Sequence, residues 1–134
     1  MIILSNTTAQ TITPGQAITF NTEILHTGCG ECHRPGTSSV KMKANGIYEL
    51  YFGGNIGTTI ADGIAQIAIA IGGEVLPETK MESETTAAGG LNNVSAKTAF
   101  KNCCCDYDRV TVINTGLTDV NIGENPCLFI KRLS

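Results

Sequence analysis

Six cysteines, Cys29, Cys32, Cys103, Cys104, Cys105 and Cys127, are the residues of this 134-residue chain best suited to chemistry. In Cys29-Gly30-Glu31-Cys32, two thiols stand at the spacing that lets one turn present both to a tetrahedral ion. A second pair is available in Cys103-Cys104-Cys105. Cys103 and Cys105 share a face if a strand continues through them, and Cys104 points opposite unless a turn has begun. Cys29, Cys32, Cys103 and Cys104 are therefore a candidate zinc site, with His26 and His33 as spare nitrogen donors. Two other readings of the same thiols stay open: disulfides closed once the protein reaches an oxidising environment, and free, half-buried thiols in a cytoplasmic product. With His33 appended, the first pair also fits the C-x-x-C-H haem-attachment pattern, but that chemistry needs export. The start, Met1-Ile2-Ile3-Leu4-Ser5-Asn6, has neither the basic n-region nor the apolar length of a signal peptide.

Other chemistry finds less support. No G-x-S-x-G elbow occurs, and both histidines fall in one loop, so a nucleophile with a separate base is not in evidence. Asp106 and Asp108 bracket a turn that would hold calcium only weakly, and capping that turn is the simpler role. Gly53-Gly54-Asn55-Ile56-Gly57 lacks the lysine and the following helix of a phosphate loop, which leaves it as a bulge or a close approach of backbones. Tyr48, Tyr51 and Phe52 would suit a sugar-stacking platform, but their alternation favours core and subunit contacts. The formal net charge is −3 and the nine lysines and arginines are scattered, so no footprint for a nucleic-acid backbone is expected. The longest apolar run, Ile67-Ala68-Ile69-Ala70-Ile71, is far short of the ~20 residues of a membrane helix, and no membrane insertion is expected.

The elements that must carry these residues read as short strands. Period-two alternation recurs throughout, broken by Gly, Pro, Asn and Asp, with no heptads and no convincing helical period. Ile2 to Leu4 is a first strand; Ile18, Phe20 and Ile24 alternate with Thr19 and Glu23; Val40, Met42 and Ala44 alternate with Lys41 and Lys43. Asn45-Gly46 is a strong hairpin signal. Beyond it Tyr48, Leu50 and Phe52 point one way, Glu49 and Tyr51 the other. Residues 64–71 are apolar on both faces, which predicts a strand covered on both faces by another element or another subunit. Val94, Ala96, Thr98 and Phe100 form one face of a further strand, Val110 and Val112 another, and Leu128, Phe129 and Ile130 close the chain. Residues 26–37, 81–93 and 117–125 read as long polar loops, the expected contact surfaces. Length and pattern together predict one all-β domain over residues 1–134, a two-sheet antiparallel sandwich.

Four segments, in chain order, sharpen this. Asn45-Gly46-Ile47-Tyr48-Glu49-Leu50-Tyr51-Phe52 resembles the G-x-Y-x-x-x-F strand of the tumour necrosis factor and complement globular-head superfamily. The stretch from Ala65 through Gly72-Gly73 to Pro77 resembles its next strand and hairpin. Asp106-Tyr107-Asp108-Arg109-Val110-Thr111-Val112-Ile113-Asn114 is similar to its G-D-x-V-x-L-x-N strand, and Pro126-Cys127-Leu128-Phe129-Ile130-Lys131-Arg132-Leu133 to its closing strand. Within the superfamily the chain is most similar to short bacteriophage structural proteins and the C-terminal heads of collagen-like spore-surface glycoproteins. The resemblance implies a jelly roll of about ten strands that forms a compact homotrimer. Its topology would set the 26–37 loop and the Cys103–Asp106 turn at opposite ends of a protomer, leaving Cys127 the nearer partner of Cys29 and Cys32. The function expected is a non-catalytic, trimeric structural and attachment protein on a virion surface. Its partners would be other virion proteins and a host-surface glycan or protein. A spore surface is the alternative location, and a metal-binding protein or metal-dependent enzyme built on the Cys/His loop is the alternative function.

Overall fold

A computed structural model describes residues 1–28, 30–102 and 108–133. The described residues form thirteen strands: β1 (Ile2–Ser5), β2 (Gln10–Ile12), β3 (Thr22–His26), β4 (Glu31–His33), β5 (Val40–Met42), β6 (Gly46–Thr58), β7 (Gly63–Ile71), β8 (Glu74–Val75), β9 (Met81–Thr85), β10 (Asn92–Asn102), β11 (Asp108–Asn114), β12 (Val120–Ile122) and β13 (Cys127–Arg132). One 3-10 turn, Pro77–Thr79, lies between β8 and β9. All strand pairs are antiparallel, and they build two sheets.

Sheet I is organised by β6, whose 13 residues are long enough to seat two partners along one edge. There β13 pairs with the stretch from Tyr48 to Gly53, and β12 with that from Ile56 to Thr58. The opposite edge of β6 is taken by β10, while β1 and β3 extend the sheet beyond β13, and β2 extends it beyond β12. Sheet II runs β4, β5, β11, β7, with β9 and then β8 along the far edge of β7. Alternation decides what fills the space between them, because successive side chains on a strand point to opposite faces. Tyr48, Leu50, Phe52 and Ile56 of β6, Ile2 and Leu4 of β1, and Leu128 and Ile130 of β13 meet Ala65, Ile67 and Ile69 of β7 and Val110 and Val112 of β11 in one buried cluster.

Several expectations are corrected. Asn45-Gly46 is not a hairpin: β5 lies in sheet II and β6 in sheet I, so the turn carries the chain from one layer to the other. The turn chemistry is real, since Asn45 has φ 58°, but hydrophobic burial in both layers decided which strands it joins. Ile24 is 60% exposed, because a register shift beside Ile3 and Leu4 breaks the alternation of β3 on the sheet edge. Residues 81–85 are strand β9, their alternating Met81, Ser83 and Thr85 buried against the sandwich. The two-sided cover expected for residues 64–71 is found only from Ile67 onward, where it is supplied inside the chain; Ile64 is 47% exposed. Ala68 and Ala70 are fully buried, with Ile113 in register beside Ala68, and Thr111 and Val75 beside Ala70. Residues directly opposite share a face, so these larger side chains enclose the two methyls. The Gly53–Gly57 stretch stays in strand β6, and Gly57 is where backbones meet: a Cβ there would collide with the Gly90 carbonyl oxygen.

Candidate functional site

Of the four proposed metal ligands, Cys29, Cys103 and Cys104 lie outside the described residues. The fourth, Cys32, is an exposed free thiol on β4. Cys127, also free and half-buried, starts β13 opposite Gly53 in the other sheet. The two described thiols are thus set apart. Cys127 begins the strand whose other end, Arg132, donates its backbone N–H to Glu31 at 3.1 Å, so β13 carries Cys127 away from the β4 edge. Both histidines are engaged rather than spare. His33 holds the carbonyls of Ser39 (3.1 Å) and Phe20 (3.0 Å) at its two ring nitrogens. His26 meets the Glu31 carbonyl at 2.8 Å and the Glu23 carboxylate at 3.1 Å. Among the described residues no three metal-ligating side chains converge.

The Cys103–Asp106 turn lies outside the described residues, but the framework beside the cysteine segments is tightly built. Gly30 follows Cys29 in the chain and Asn102 precedes Cys103, and both are fixed around Lys43. The Lys43 backbone N–H donates to the Gly30 carbonyl at 2.8 Å. The buried Tyr48 hydroxyl shares its proton between the carbonyls of Lys43 (2.8 Å) and Gly30 (3.1 Å). The Asn102 amide donates to the Lys43 and Met42 carbonyls, each at 3.3 Å. Beside them the Glu31 carboxylate, almost fully buried, accepts from the Met1 amine at 3.0 Å as well as from Arg132.

A depression of about 310 Å³ opens on the outward face of sheet II at this edge, lined by Cys32, Arg34, Thr37, Ser39, Lys41 and Arg109. Its floor is a single cross-strand row, Cys32 of β4 opposite Lys41 of β5 opposite Arg109 of β11. The rim is a tight turn, Arg34-Pro35-Gly36-Thr37, closed by the Thr37 N–H on the Arg34 carbonyl at 3.1 Å. Proline at the second position and a glycine with φ 85° at the third are what a type II turn requires. The turn is tied down on both sides of Gly36, whose N–H reaches the Phe20 carbonyl at 2.8 Å while the Phe20 N–H reaches the Thr37 carbonyl at 3.1 Å. Arg109 donates to the Ser39 hydroxyl at 3.2 Å. Arg34, Lys41 and Arg109 form no ion pair with a carboxylate among the described residues. Sequence reasoning placed Cys32, Arg34 and Thr37 in an expected contact loop but missed the hollow, because Arg109 stands far from them in the chain. The wet Lys41/Lys43 face of one strand was a further signal, but nothing linear announced that β11 would bring Arg109 beside it.

The outward face of sheet I is of another kind. Leu25, Ile3, Phe129, Tyr51 and Lys97 stand in one row across five strands. Leu25 is 39% exposed, and Ile3, Phe129 and Tyr51 are half-buried. Lys97, at the end of the row, pairs with Glu49 at 2.7 Å.

No protein-family model matches the chain, and no curated protein matches it. Solved structures do. The globular domain of zebrafish complement 1qA matches with a TM-score of 0.65 at 12% identity, over 96% of this chain and 94% of that one. Murine APRIL, solved at pH 8.0, matches with a TM-score of 0.62 at 14% identity, over 97% of this chain and 96% of its own. At such identities it is the path of the backbone that is shared. The chain has the two-sheet jelly-roll fold of the tumour necrosis factor and complement globular-head superfamily.

Proposed function

We propose that the chain is a non-catalytic, homotrimeric attachment head, a component of a bacteriophage particle made in the host cytoplasm and displayed on the virion surface. The observation that carries this reading is the cross-strand row Leu25, Ile3, Phe129 and Tyr51, four apolar or aromatic side chains standing side by side on the outside of sheet I. A sheet face of this kind is covered in a soluble protein by another element or by another copy. The fold supports the second choice, since complement-type and tumour-necrosis-factor-type heads are trimers. Threefold symmetry then multiplies weak contacts without tighter individual sites. Of the three loop regions expected to make contact, residues 26–37 lie at the β4 edge. Those near Gly90 and Gly123 meet at the other end of β6, where Gly57 abuts Gly90, and the Gly123 N–H reaches the Asn55 carbonyl at 2.8 Å. The two ends are free for different partners. Light scattering of the purified chain and probing of purified particles with an antibody test the reading. A trimer found in particles supports it; a monodisperse monomer absent from every particle defeats it.

A second reading is a structural thiol centre. It is favoured by the anchoring of Gly30 and Asn102, the chain neighbours of Cys29 and Cys103, around the one residue Lys43, whose N–H donates to the Gly30 carbonyl and whose own carbonyl accepts from the Asn102 amide. Bound zinc, or a native thiol count below the six cysteines of the chain, supports it; six free thiols without metal end it.

A further inference from the structure

We infer that the depression between β4, β5 and β11 binds an acidic saccharide, a sugar bearing a carboxylate or a sulfate. The inference rests on the attachment reading and names the ligand class for one of its surfaces. Three of the nine cationic side chains of a chain with net charge −3 gather in this one hollow. No carboxylate among the described residues answers them. Like charges so placed repel one another, and an anion of two or three oxygens relieves that repulsion while receiving several charge-assisted hydrogen bonds.

Part of the site is held ready. The backbone of the Arg34 turn is pinned to Phe20 from two sides, and the Arg109 guanidinium is steadied by Ser39. That lowers the ordering cost of binding. The neutral groups point to a sugar rather than to a bare inorganic anion. Ser39 accepts from Arg109, which leaves its own O–H to donate. Thr37 donates to the Arg34 carbonyl at 2.6 Å, which leaves its oxygen to accept. A donor and an acceptor beside a cation trio match a sugar hydroxyl beside a carboxylate or sulfate. A nucleic-acid backbone is disfavoured: its phosphates recur at fixed intervals and call for a stripe of cations, whereas these are confined to one hollow on an acidic chain.

The test is titration calorimetry of the intact chain with methyl glucuronide, a sulfated disaccharide, methyl glucoside and a short single-stranded oligonucleotide. The expected result is binding of the two acidic sugars, weakening as sodium chloride is raised, with no binding of the neutral glucoside. Arg109→Met and Lys41→Gln, both at exposed positions, should each weaken binding about tenfold at unchanged melting temperature. Bound sugar should also slow alkylation of Cys32 and leave Cys127 unaffected. Equal binding of the glucoside, tighter binding of the oligonucleotide, no binding of either acidic sugar, or full affinity in both variants overturns the inference. A trimer that adheres to cells yet ignores both acidic sugars removes the ligand class alone. A monomer that binds glucuronide removes the trimeric reading and leaves the site standing.

Discussion

On sheet I one outward cross-strand row is apolar, Leu25, Ile3, Phe129 and Tyr51, and ends in a lysine already paired with Glu49. On sheet II the outward row of the β4 edge is Cys32, Lys41 and Arg109, with Arg34 above it and no carboxylate opposite among the described residues. Both rows come from the same device, direct cross-strand pairing, which sets every second residue of neighbouring strands side by side. The chemistry placed in the rows separates them. An apolar row lowers its free energy by excluding water and suits a permanent contact with another copy. A cationic hollow keeps its water until an anion displaces it, and suits a reversible contact. Farther along sheet II, the outward face of β7 at Ala68 and Ala70 is sealed by its own neighbours and offers neither.

The largest effect expected from breaking this pattern is at that sealed stretch. Ala70→Asp puts a carboxylate among Thr111 and Val75 with no cation in register, at an expected cost of about 3 kcal/mol or more. Urea unfolding should show it as a lower midpoint, and the loss should be one of folding rather than of assembly. Phe129→Asp is the opposite case. It places the charge in the middle of the exposed apolar row, so the chain should keep its circular dichroism while its mass in light scattering falls to about one third. A variant that stays trimeric would remove sheet I as the interface.

Smaller effects sharpen the contrast between the two ends. Tyr48→Phe removes the hydroxyl shared by the Lys43 and Gly30 carbonyls and should cost about 1–2 kcal/mol in thermal or urea unfolding. The smallest effect separates the two described thiols. Burial pushes the Cys127 thiol above its ordinary value of 9.0, so at neutral pH it carries less thiolate than an ordinary thiol and should react slowly with iodoacetamide. Its rate should go on climbing beyond pH 9.0, while exposed Cys32 is modified early in the reaction. The sign for stability follows. A thiol whose pKa is raised in the folded state contributes fully below the unfolded value, and that contribution is lost as pH rises through the folded one. Peptide mapping after timed alkylation reads both.

Much of the fold was legible in local pattern, and the reason is periodicity. Tyr48, Leu50 and Phe52 alternate with Glu49 and Tyr51, and the structure sends the first set into the core and the second outward, as a strand must. The same alternation located β10, while β7 was located by a run apolar on both faces. It failed where an edge bulge shifted the phase, at Ile24, and where a good turn joined strands of different sheets, at Asn45-Gly46. In both places the local signal was sound, but a distant pairing used it otherwise.

The candidate sites divide along the same line. The six cysteines are plain in the sequence, as is the formal spacing of Cys29 and Cys32, because both are properties of neighbours along the chain. That Cys32 faces a hollow of cations, that both histidines are held by carbonyls, and that Gly30 and Asn102 meet at Lys43 are contacts between residues far apart in the chain. Arg34, Lys41 and Arg109 look scattered as a sequence and stand together in space, because sheet register sums separations that no local window contains. The alternation of each strand could therefore say which side chains face outward. Only the order of the strands in the two sheets decided which of them share a surface.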